Sequence, residues 1–228
     1  MPITEKDVLF EDNHLIAVNK RAGDIVQVDE TGDVSLDEKV KKYIALKYNK
    51  PNEVFLGVMH RLDRPVSGVI LFARTSKALA RMNDVFKNRE VKKTYWAVVR
   101  NKPAALSGTL VHWLVKNTQK NVVTAHIKEV AGSQRAELSY KMIGELGGYY
   151  LLEVDPLTGR SHQIRVQLAS MGCPIVGDNK YGYPRGSRKG SICLHARRLQ
   201  FSHPVKKEPV TIFAKLPVDG FWERFEGF

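Results

Sequence analysis

Residues 58–74 read VMHRLDRPVSGVILFAR, a charged segment that passes through a turn into an apolar one. The last part, residues 69–73, is an unbroken run of β-forming apolar side chains, which is typical of a buried central strand. The Pro-Val-Ser-Gly sequence before it favours a turn. Asp63 would then lie at the edge of the core, where the cations Arg61 and Arg64 favour its ionised form. In a surface loop the same residues would form only an ordinary ion pair.

The sequence around this strand alternates short β-forming segments with a few helical ones. Residues 35–50 begin with the capping box Ser35-Leu36-Asp37-Glu38, and we expect a helix that Pro51 ends. A second helix is expected after Thr75 or Ser76, and a third, short one with Ser161 as its cap. Further strands are expected at 8–10, 15–18, 91–100, 108–115, 121–128, 135–143, 149–154, 191–201 and 209–214. The sequence therefore predicts an α+β fold with a large, mostly antiparallel mixed sheet flanked by a few helices.

The chain is strongly basic, since 36 Lys and Arg against 24 Asp and Glu give a net charge of +12. Such an excess indicates a polyanionic partner, RNA or DNA first and an anionic membrane surface second, although a merely soluble basic protein has the same composition. No apolar run reaches the roughly 18 residues of a membrane span. The start lacks the pattern of a secretory signal. Cys173 and Cys193 are far apart, which favours free thiols in a reducing cytoplasm.

Two further segments carry a specific pattern: residues 92–99 read KKTYWAVV, and residues 155–166 read DPLTGRSHQIRV. Together with residues 58–74 they resemble the RluA-type family of RNA pseudouridine synthases. The resemblance covers nearly the whole chain, because DNHLIAVNK (12–20), CLHA (193–196) and FSHP (201–204) also match. Val66 stands where Thr is usual and Arg21 where Pro is usual, and neither position is assigned to the chemistry.

The resemblance implies an enzyme that isomerises uridine to pseudouridine in ribosomal or transfer RNA. This reaction breaks the bond from N1 to C1′ and rejoins the ring through C5, so that neither a cofactor nor a metal is needed. Asp63 is then the carboxylate beside the ribose, and it either attacks C1′ or removes a proton from C2′; both routes stay open. Arg165 keeps that carboxylate charged. Tyr95 stacks on uracil, with its phenol near the proton that C5 loses.

A base inside folded RNA must be flipped out to reach a buried carboxylate. In the resemblance Arg61 fills the vacated stack, although it could equally pair with Asp63 or contact a phosphate. Leu194 lines the uracil pocket, or is a simple core residue. Residues 181–190 form a candidate RNA-binding loop with three cations: Arg185, Arg188 and Lys189. Residues 87–93 and 116–120 are secondary candidates.

The chain is expected to be one catalytic domain, residues 1–228, without a separate N-terminal RNA-binding module. We further expect a cytoplasmic monomer that binds RNA, needs no obligate protein partner and does not associate with a membrane. Two alternatives remain: a non-catalytic RNA-binding or assembly protein that retains the fold, and a hydrolase that uses Asp63 with His60.

Overall fold

The computed structural model describes residues 1–28, 32–186 and 190–228. Its chain divides into two compact units, Met1–Lys92 with Ala196–Lys215 and Lys93–His195 with Leu216–Phe228. The elements, numbered along the chain, are β1 (Val8–Glu11), β2 (Leu15–Lys20), α1 (Leu36–Lys47), β3 (Gly57–Val58), β4 (Ser67–Ala73), α2 (Ser76–Lys87), β5 (Lys92–Val99), β6 (Ser107–Asn117), β7 (Val122–His126), β8 (Gln134–Leu146), β9 (Tyr149–Pro156), α3 (Gln163–Ser170), β10 (Leu194–Ser202) and β11 (Pro209–Phe213). The α+β class predicted from the sequence is confirmed.

The first unit has β4 at its centre, in the strand order β1-β2-β4-β10-β11, where β10 contributes its residues from Ala196 onward, and β3 also pairs with β4. Every residue of β4 is buried, which confirms the predicted central strand. β2 runs antiparallel to β4, from the pair Leu15 and Ala73 to the pair Lys20 and Gly68. The register thus brings the end of β2 beside the turn that leads into β4.

Gly68 is the one position in β4 where the backbone demands glycine. Its φ angle is +117°, a conformation that side-chain-bearing residues rarely adopt. A Cβ atom there would lie 2.4 Å from both the backbone nitrogen and the backbone oxygen of Ala196 in β10. The Ser-Gly step of the motif therefore permits two strands of the first unit to approach closely.

The helices of the first unit begin as predicted. α1 has the expected capping box of Ser35 and Glu38, and α2 begins at Thr75, whose hydroxyl accepts a hydrogen bond from the Ala78 amide. The predicted end of α1 was wrong, because the helix stops at Lys47 and Asn49 takes a left-handed conformation. Chain reversal at Asn49 thus ends the helix before Pro51 is reached.

The second unit is an antiparallel sheet in the order β7-β6-β8-β9-β5. α3 packs on one face, where Val166 joins an apolar cluster with Leu114, Val123 and Ala136. The chain's C-terminal segment covers the opposite face, in a cluster made of Trp96, Val98, Leu151, Leu216, Trp222 and Phe225. The two faces of this sheet, called here the α3 face and the C-terminal face, decide where the candidate site residues point.

Two further features bear on the sequence analysis. β8 and β9 form a hairpin, in which Gly147 and Gly148 connect the two strands with positive φ angles. Among the described residues, no helix combines the length and the apolar character that crossing a membrane requires. The single-domain organisation stays a prediction.

Candidate active site

Asp63 lies in the turn between β3 and β4, within the first unit. The turn is closed by the Val66 amide, which donates a hydrogen bond to the Asp63 carbonyl oxygen at 3.0 Å. Leu62 beside it is buried, whereas Asp63 itself is half-buried. Asp63 therefore lies at the boundary between core and solvent, the position that the sequence predicts.

The buried Lys20 fixes this turn from the end of β2. Its ammonium donates hydrogen bonds to three backbone carbonyl oxygens, those of Arg21 (3.1 Å), Arg64 (3.1 Å) and Val66 (2.6 Å). Two of these acceptors belong to the turn that begins at Asp63. The side chain is only 1% exposed, so the three bonds are formed where water cannot replace them.

The charge of Lys20 also acts on Asp63. Burial lowers the pKa of Lys20 to about 8, and the carboxylates of Asp24 and Asp63 oppose this shift by favouring the charged form. The candidate catalytic carboxylate thus has a buried cation of its own unit within electrostatic range. Lys20 lies in the matching segment 12–20 but was not predicted as a site residue. In sequence it is only the polar end of a strand, between Asn19 and Arg21, so no local signal identifies it.

The two arginines beside Asp63 differ in their surroundings. Arg64 forms an exposed ion pair with Asp33 at 2.6 Å. Arg61 is exposed and has no hydrogen bond or ion pair with any residue that the structure describes. A pair of Arg61 with Asp63 is therefore not found in this part of the chain, and the Arg61 guanidinium is accessible to a ligand.

His60 is held within the fold of the first unit. Its Nε2 atom accepts a hydrogen bond from the Leu71 amide at 2.9 Å. Its ring stacks on Phe86, with 4.9 Å between the ring centroids and 23° between the planes. Because this nitrogen accepts a bond from a buried strand, it is not available as the base that the hydrolase alternative requires.

Arg165 is the third residue of α3 and is 5% exposed. Its guanidinium donates two hydrogen bonds to the Asp178 carboxylate, from Nε at 2.7 Å and from Nη2 at 2.9 Å. The guanidinium carbon also lies 5.0 Å from the centre of the Tyr181 ring. Asp178 is 1% exposed, so the pair is shielded from water on both sides. Asp178 was not among the residues predicted from the sequence, since nothing in its local sequence marks it.

The predicted cap of α3 by Ser161 was wrong. The N-cap residue is His162, in a left-handed conformation, and it forms no side-chain cap. Gln163 instead binds the segment before the helix, because its Oε1 atom accepts hydrogen bonds from the Arg160 amide at 3.0 Å and from the Thr158 hydroxyl at 2.8 Å. A buried glutamine thus fixes the backbone that leads into the helix of Arg165.

The Tyr181 hydroxyl fixes the other side of Arg165. It accepts a hydrogen bond from the Val123 amide at 3.0 Å and lies 2.7 Å from Nδ1 of His162. The Tyr181 ring is thereby fixed between β7 and the start of α3. Tyr181, the first residue of the predicted RNA-binding loop, therefore has a structural role.

Tyr95 lies in β5, opposite Val154 of β9, and is half-buried. Side chains directly opposite each other share a face of the sheet, and Val154 is in turn opposite Tyr140 of β8. Alternation along β8 then places Tyr140 on the face of Ala136, which is the α3 face. Tyr95 therefore projects on the same side of the sheet as the helix of Arg165.

Leu194 is the first residue of β10 and is 3% exposed. The next residue, His195, has its ring 5.8 Å from that of Trp222, on the C-terminal face. Because successive strand residues point to opposite faces, Leu194 points to the α3 face. Tyr95, Arg165 and Leu194 are thus on one side of the second unit, while Asp63 and Arg61 share one turn of the first.

The predicted RNA-binding loop is described only in part. Arg185 is exposed, as a phosphate contact requires, whereas Arg188 and Lys189 lie outside the described residues. Burial raises the pKa of the Cys193 thiol to about 12, so this cysteine is inert as a nucleophile. Among the described side chains, none of the His, Cys, Asp and Glu groups form a cluster that could hold a metal ion.

Comparison with known proteins gives a consistent result. A family model described as RNA pseudouridylate synthase matches residues 14–170, a range that contains Asp63, Tyr95 and Arg165. Ribosomal large subunit pseudouridine synthase C of Rickettsia bellii (strain RML369-C) is 34% identical over 217 residues, covering 94% of this chain and 70% of that protein. tRNA pseudouridine synthase C of Pectobacterium carotovorum subsp. carotovorum is 29% identical over 230 residues, covering 93% of this chain and 59% of that protein.

The fold has a counterpart among solved structures. Human RNA pseudouridylate synthase domain containing 4 superposes with a TM-score of 0.78, covering 93% of this chain and 89% of that one, at 24% sequence identity. This likeness shows the fold, and the family match over residues 14–170 shows the lineage. The chain therefore belongs to the RNA pseudouridylate synthase family, whose reaction is the isomerisation of uridine to pseudouridine within RNA.

Proposed function

We propose that this protein isomerises particular uridines of ribosomal or transfer RNA, with Asp63 as the carboxylate that acts on the ribose. The observation that carries this assignment is the fixed turn of Asp63, whose backbone is bound by the buried Lys20 ammonium while Asp63 itself is only half-buried. A catalytic group must be held by a rigid surrounding and still reach the substrate, and this turn meets both requirements.

The reaction needs no net oxidation or reduction. The bond from N1 to C1′ breaks, the uracil turns, a bond from C5 to C1′ forms, and the proton lost by C5 is balanced by one gained at N1. Asp63 either attacks C1′, giving a covalent intermediate, or removes the C2′ proton. Both routes begin from the ionised carboxylate, so a positive charge that favours this form promotes either one.

Arg165 is proposed to supply that charge, as the family resemblance implies. Its link to Asp178 supports the role, because a guanidinium held by two hydrogen bonds cannot swing away when the substrate enters. Tyr95 is proposed to stack on the uracil, and its hydroxyl to receive or relay the C5 proton. Its place on the α3 face, the side of Arg165, supports this assignment.

Arg61 is proposed to occupy the stack that the flipped nucleotide leaves, and its exposure without a described partner supports an RNA contact. Leu194 is proposed to line the uracil pocket, because a buried apolar side chain on the α3 face suits the face of a base. Arg185, Arg188 and Lys189 are proposed to bind phosphates, as are further cations of the +12 surface.

The substrate class rests on the relatives. One is named for the large ribosomal subunit and the other for tRNA, and both cover more than nine-tenths of this chain. We propose that the protein acts in the cytoplasm as a monomer, without an obligate protein partner. The alternative of a non-catalytic RNA-binding protein lacks support, because Asp63, Tyr95 and Arg165 are all present.

The test is a map of pseudouridine in ribosomal and transfer RNA from cells with and without the protein. We expect one or a few positions to lose pseudouridine when the protein is absent. The parent should restore them, and the variant Asp63→Asn should not. Restoration by Asp63→Asn would refute the assignment of Asp63, and an unchanged map would refute the proposed substrate class.

A further inference from the structure

Lys93 lies in β5, two residues before Tyr95. Residues two apart in a strand point to the same face, so the Lys93 side chain projects on the α3 face with Tyr95. The residue is half-buried, although its neighbour Lys92 is exposed. A lysine on the side of the sheet that carries Tyr95 and Arg165 is therefore partly withdrawn from solvent.

The Lys93 ammonium lies against the backbone that leads into α3. A Cβ atom at Gly159 would be 3.4 Å from Nζ of Lys93. Gly159 itself stands four residues before Gln163, the first residue of the helix. The absence of a side chain at this position leaves space beside the ammonium on the approach to Arg165's helix.

No anionic group among the described residues pairs with this cation. Within the described residues Lys93 forms no ion pair and no hydrogen bond through its side chain. Burial lowers its pKa, and no carboxylate opposes that shift. The contrast with other buried cations is clear, since Arg165 is bound by Asp178 and Lys20 by three carbonyl oxygens. A partly desolvated ammonium without a partner is unfavourable, so an anion supplied from outside would be bound favourably.

We propose that Lys93 binds a phosphate group of the substrate RNA, in the backbone of the nucleotide that contacts Tyr95. This inference rests on the proposed function, and it identifies a binding residue for the same site. Uracil and ribose are neutral, so the phosphates are the groups of RNA that complement this cation. Two residues of a strand span about 7 Å, so a nucleotide stacked on Tyr95 brings its own backbone near Lys93.

The test compares Lys93→Met with Lys141→Met, a matched loss of one positive charge. Lys141 is exposed in β8, where strand alternation from Tyr140 places it on the C-terminal face. Affinity is measured as a function of salt, with an RNA fragment containing the uridine found by mapping. We expect Lys93→Met to weaken binding about tenfold and to reduce the slope of log affinity against log salt by about 0.7–0.9, the loss of one phosphate contact. Lys141→Met should change affinity by less than about twofold, and Lys93→Arg should keep the slope of the parent.

A neutral phosphate identifies the contact directly. RNAs with one methylphosphonate on either side of the target uridine are bound to the parent and to Lys93→Met. At the phosphate that Lys93 contacts, the methylphosphonate should weaken binding of the parent and have little further effect on the variant. Equal losses in both proteins at every position would overturn the inference, as would a Lys93→Met variant that binds like Lys141→Met.

The binding assay also separates this inference from the proposed function. If the parent forms pseudouridine and Lys93→Met binds RNA as the parent does, only the phosphate contact is refuted. If the purified parent does not convert the mapped uridine but Lys93→Met loses the phosphate contact, the contact stands and the catalytic assignment fails. Melting temperatures of Lys93→Met and Lys93→Arg within a few degrees of the parent would confirm that both variants are folded.

Discussion

Arg165 and Asp178 are joined by two hydrogen bonds, and both side chains are almost entirely removed from solvent. Taking two charges out of water is costly, and the pair recovers this cost only while both partners are present. Thirteen residues separate them in sequence, so the link fixes the segment after α3 as well as the guanidinium. The orientation of Arg165 therefore depends on two chain segments, α3 and the segment that contains Asp178.

Removing the anion of this pair should disable the enzyme without touching the substrate. We expect Asp178→Ala to lower the free energy of unfolding by about 3–5 kcal/mol, because it removes the carboxylate that accepts two hydrogen bonds from a buried guanidinium. The rate at saturating RNA should fall as well, since Arg165 loses its fixed orientation. Chemical denaturation and single-turnover kinetics measure the two effects. Glu145→Gln, which breaks the exposed pair of Lys102 and Glu145, is the control and should cost less than about 1 kcal/mol.

Asp63→Asn should abolish isomerisation, because an amide can neither attack C1′ nor accept the C2′ proton. Binding of RNA should stay within about threefold of the parent, since the change is nearly isosteric and removes a negative charge from an anionic complex. Pseudouridine formation and filter binding measure these outcomes. Turnover by Asp63→Asn above a trace would remove Asp63 from the reaction.

Tyr95→Phe separates the stacking of the ring from the chemistry of the hydroxyl. If the phenol takes part in loss of the C5 proton, the variant should bind RNA normally and form pseudouridine at least about 100-fold more slowly. Tyr140→Phe removes a hydroxyl that donates to the Ala105 carbonyl in the same sheet, and it serves as the control. Full activity of Tyr95→Phe would limit Tyr95 to stacking.

Lys20 should make stability depend on pH in the alkaline range. Its pKa is about 8 in the folded protein against 10.5 as the ordinary value, so the unfolded chain binds the proton more tightly. The resulting penalty is complete below pH 8 and is relieved as the pH rises towards 10.5. From about pH 7.5 to about pH 9.5 the parent should gain about 2 kcal/mol of unfolding free energy relative to Lys20→Met. Urea denaturation at several pH values measures this difference. A difference between the parent and Lys20→Met that stays the same at every pH would contradict the prediction.

Gly68→Ala should be among the most damaging single substitutions in the first unit. The new Cβ would meet the backbone of Ala196 at 2.4 Å, and neither strand can move without breaking its pairing. We expect a loss of about 3 kcal/mol or more in unfolding free energy. Gly172→Ala has a similar positive φ, +81°, but nothing within 4 Å, so it should cost only about 1 kcal/mol. Equal losses of unfolding free energy in the two variants would mean that the positive φ angle determines the cost, and not the close approach to Ala196.

Elements marked by a continuous pattern could be predicted from the sequence. β4 was recognisable as five consecutive apolar β-formers, and α1 by its capping box, because these signals depend only on residues close together in the chain. The start of α3 was predicted wrongly for the opposite reason. Ser161 is a good cap by type, but Gln163 is buried and reaches back to Thr158 and Arg160, so tertiary packing decided the geometry.

No local sequence pattern identified the residues that support the candidate site. Asp178 is one of 24 acidic residues, and only the fold shows that it faces Arg165. Lys20 appears in sequence as the polar end of a strand, where a lysine usually extends into solvent. The family resemblance supplied candidates for the chemistry. The residues that hold these candidates in place are recognised only in the structure, from contacts between segments that are remote in sequence.

The three carbonyl bonds of Lys20 also constrain how this protein can be shortened. The ammonium reaches Val66 across 46 residues of sequence, so the turn of Asp63 depends on a strand formed by the first 20 residues. A truncation that removes β2 would delete none of the proposed substrate-binding residues. It would, however, delete the lysine whose hydrogen bonds fix the turn of Asp63. In protein engineering, the N-terminal boundary of a minimal active version must therefore lie before Leu15.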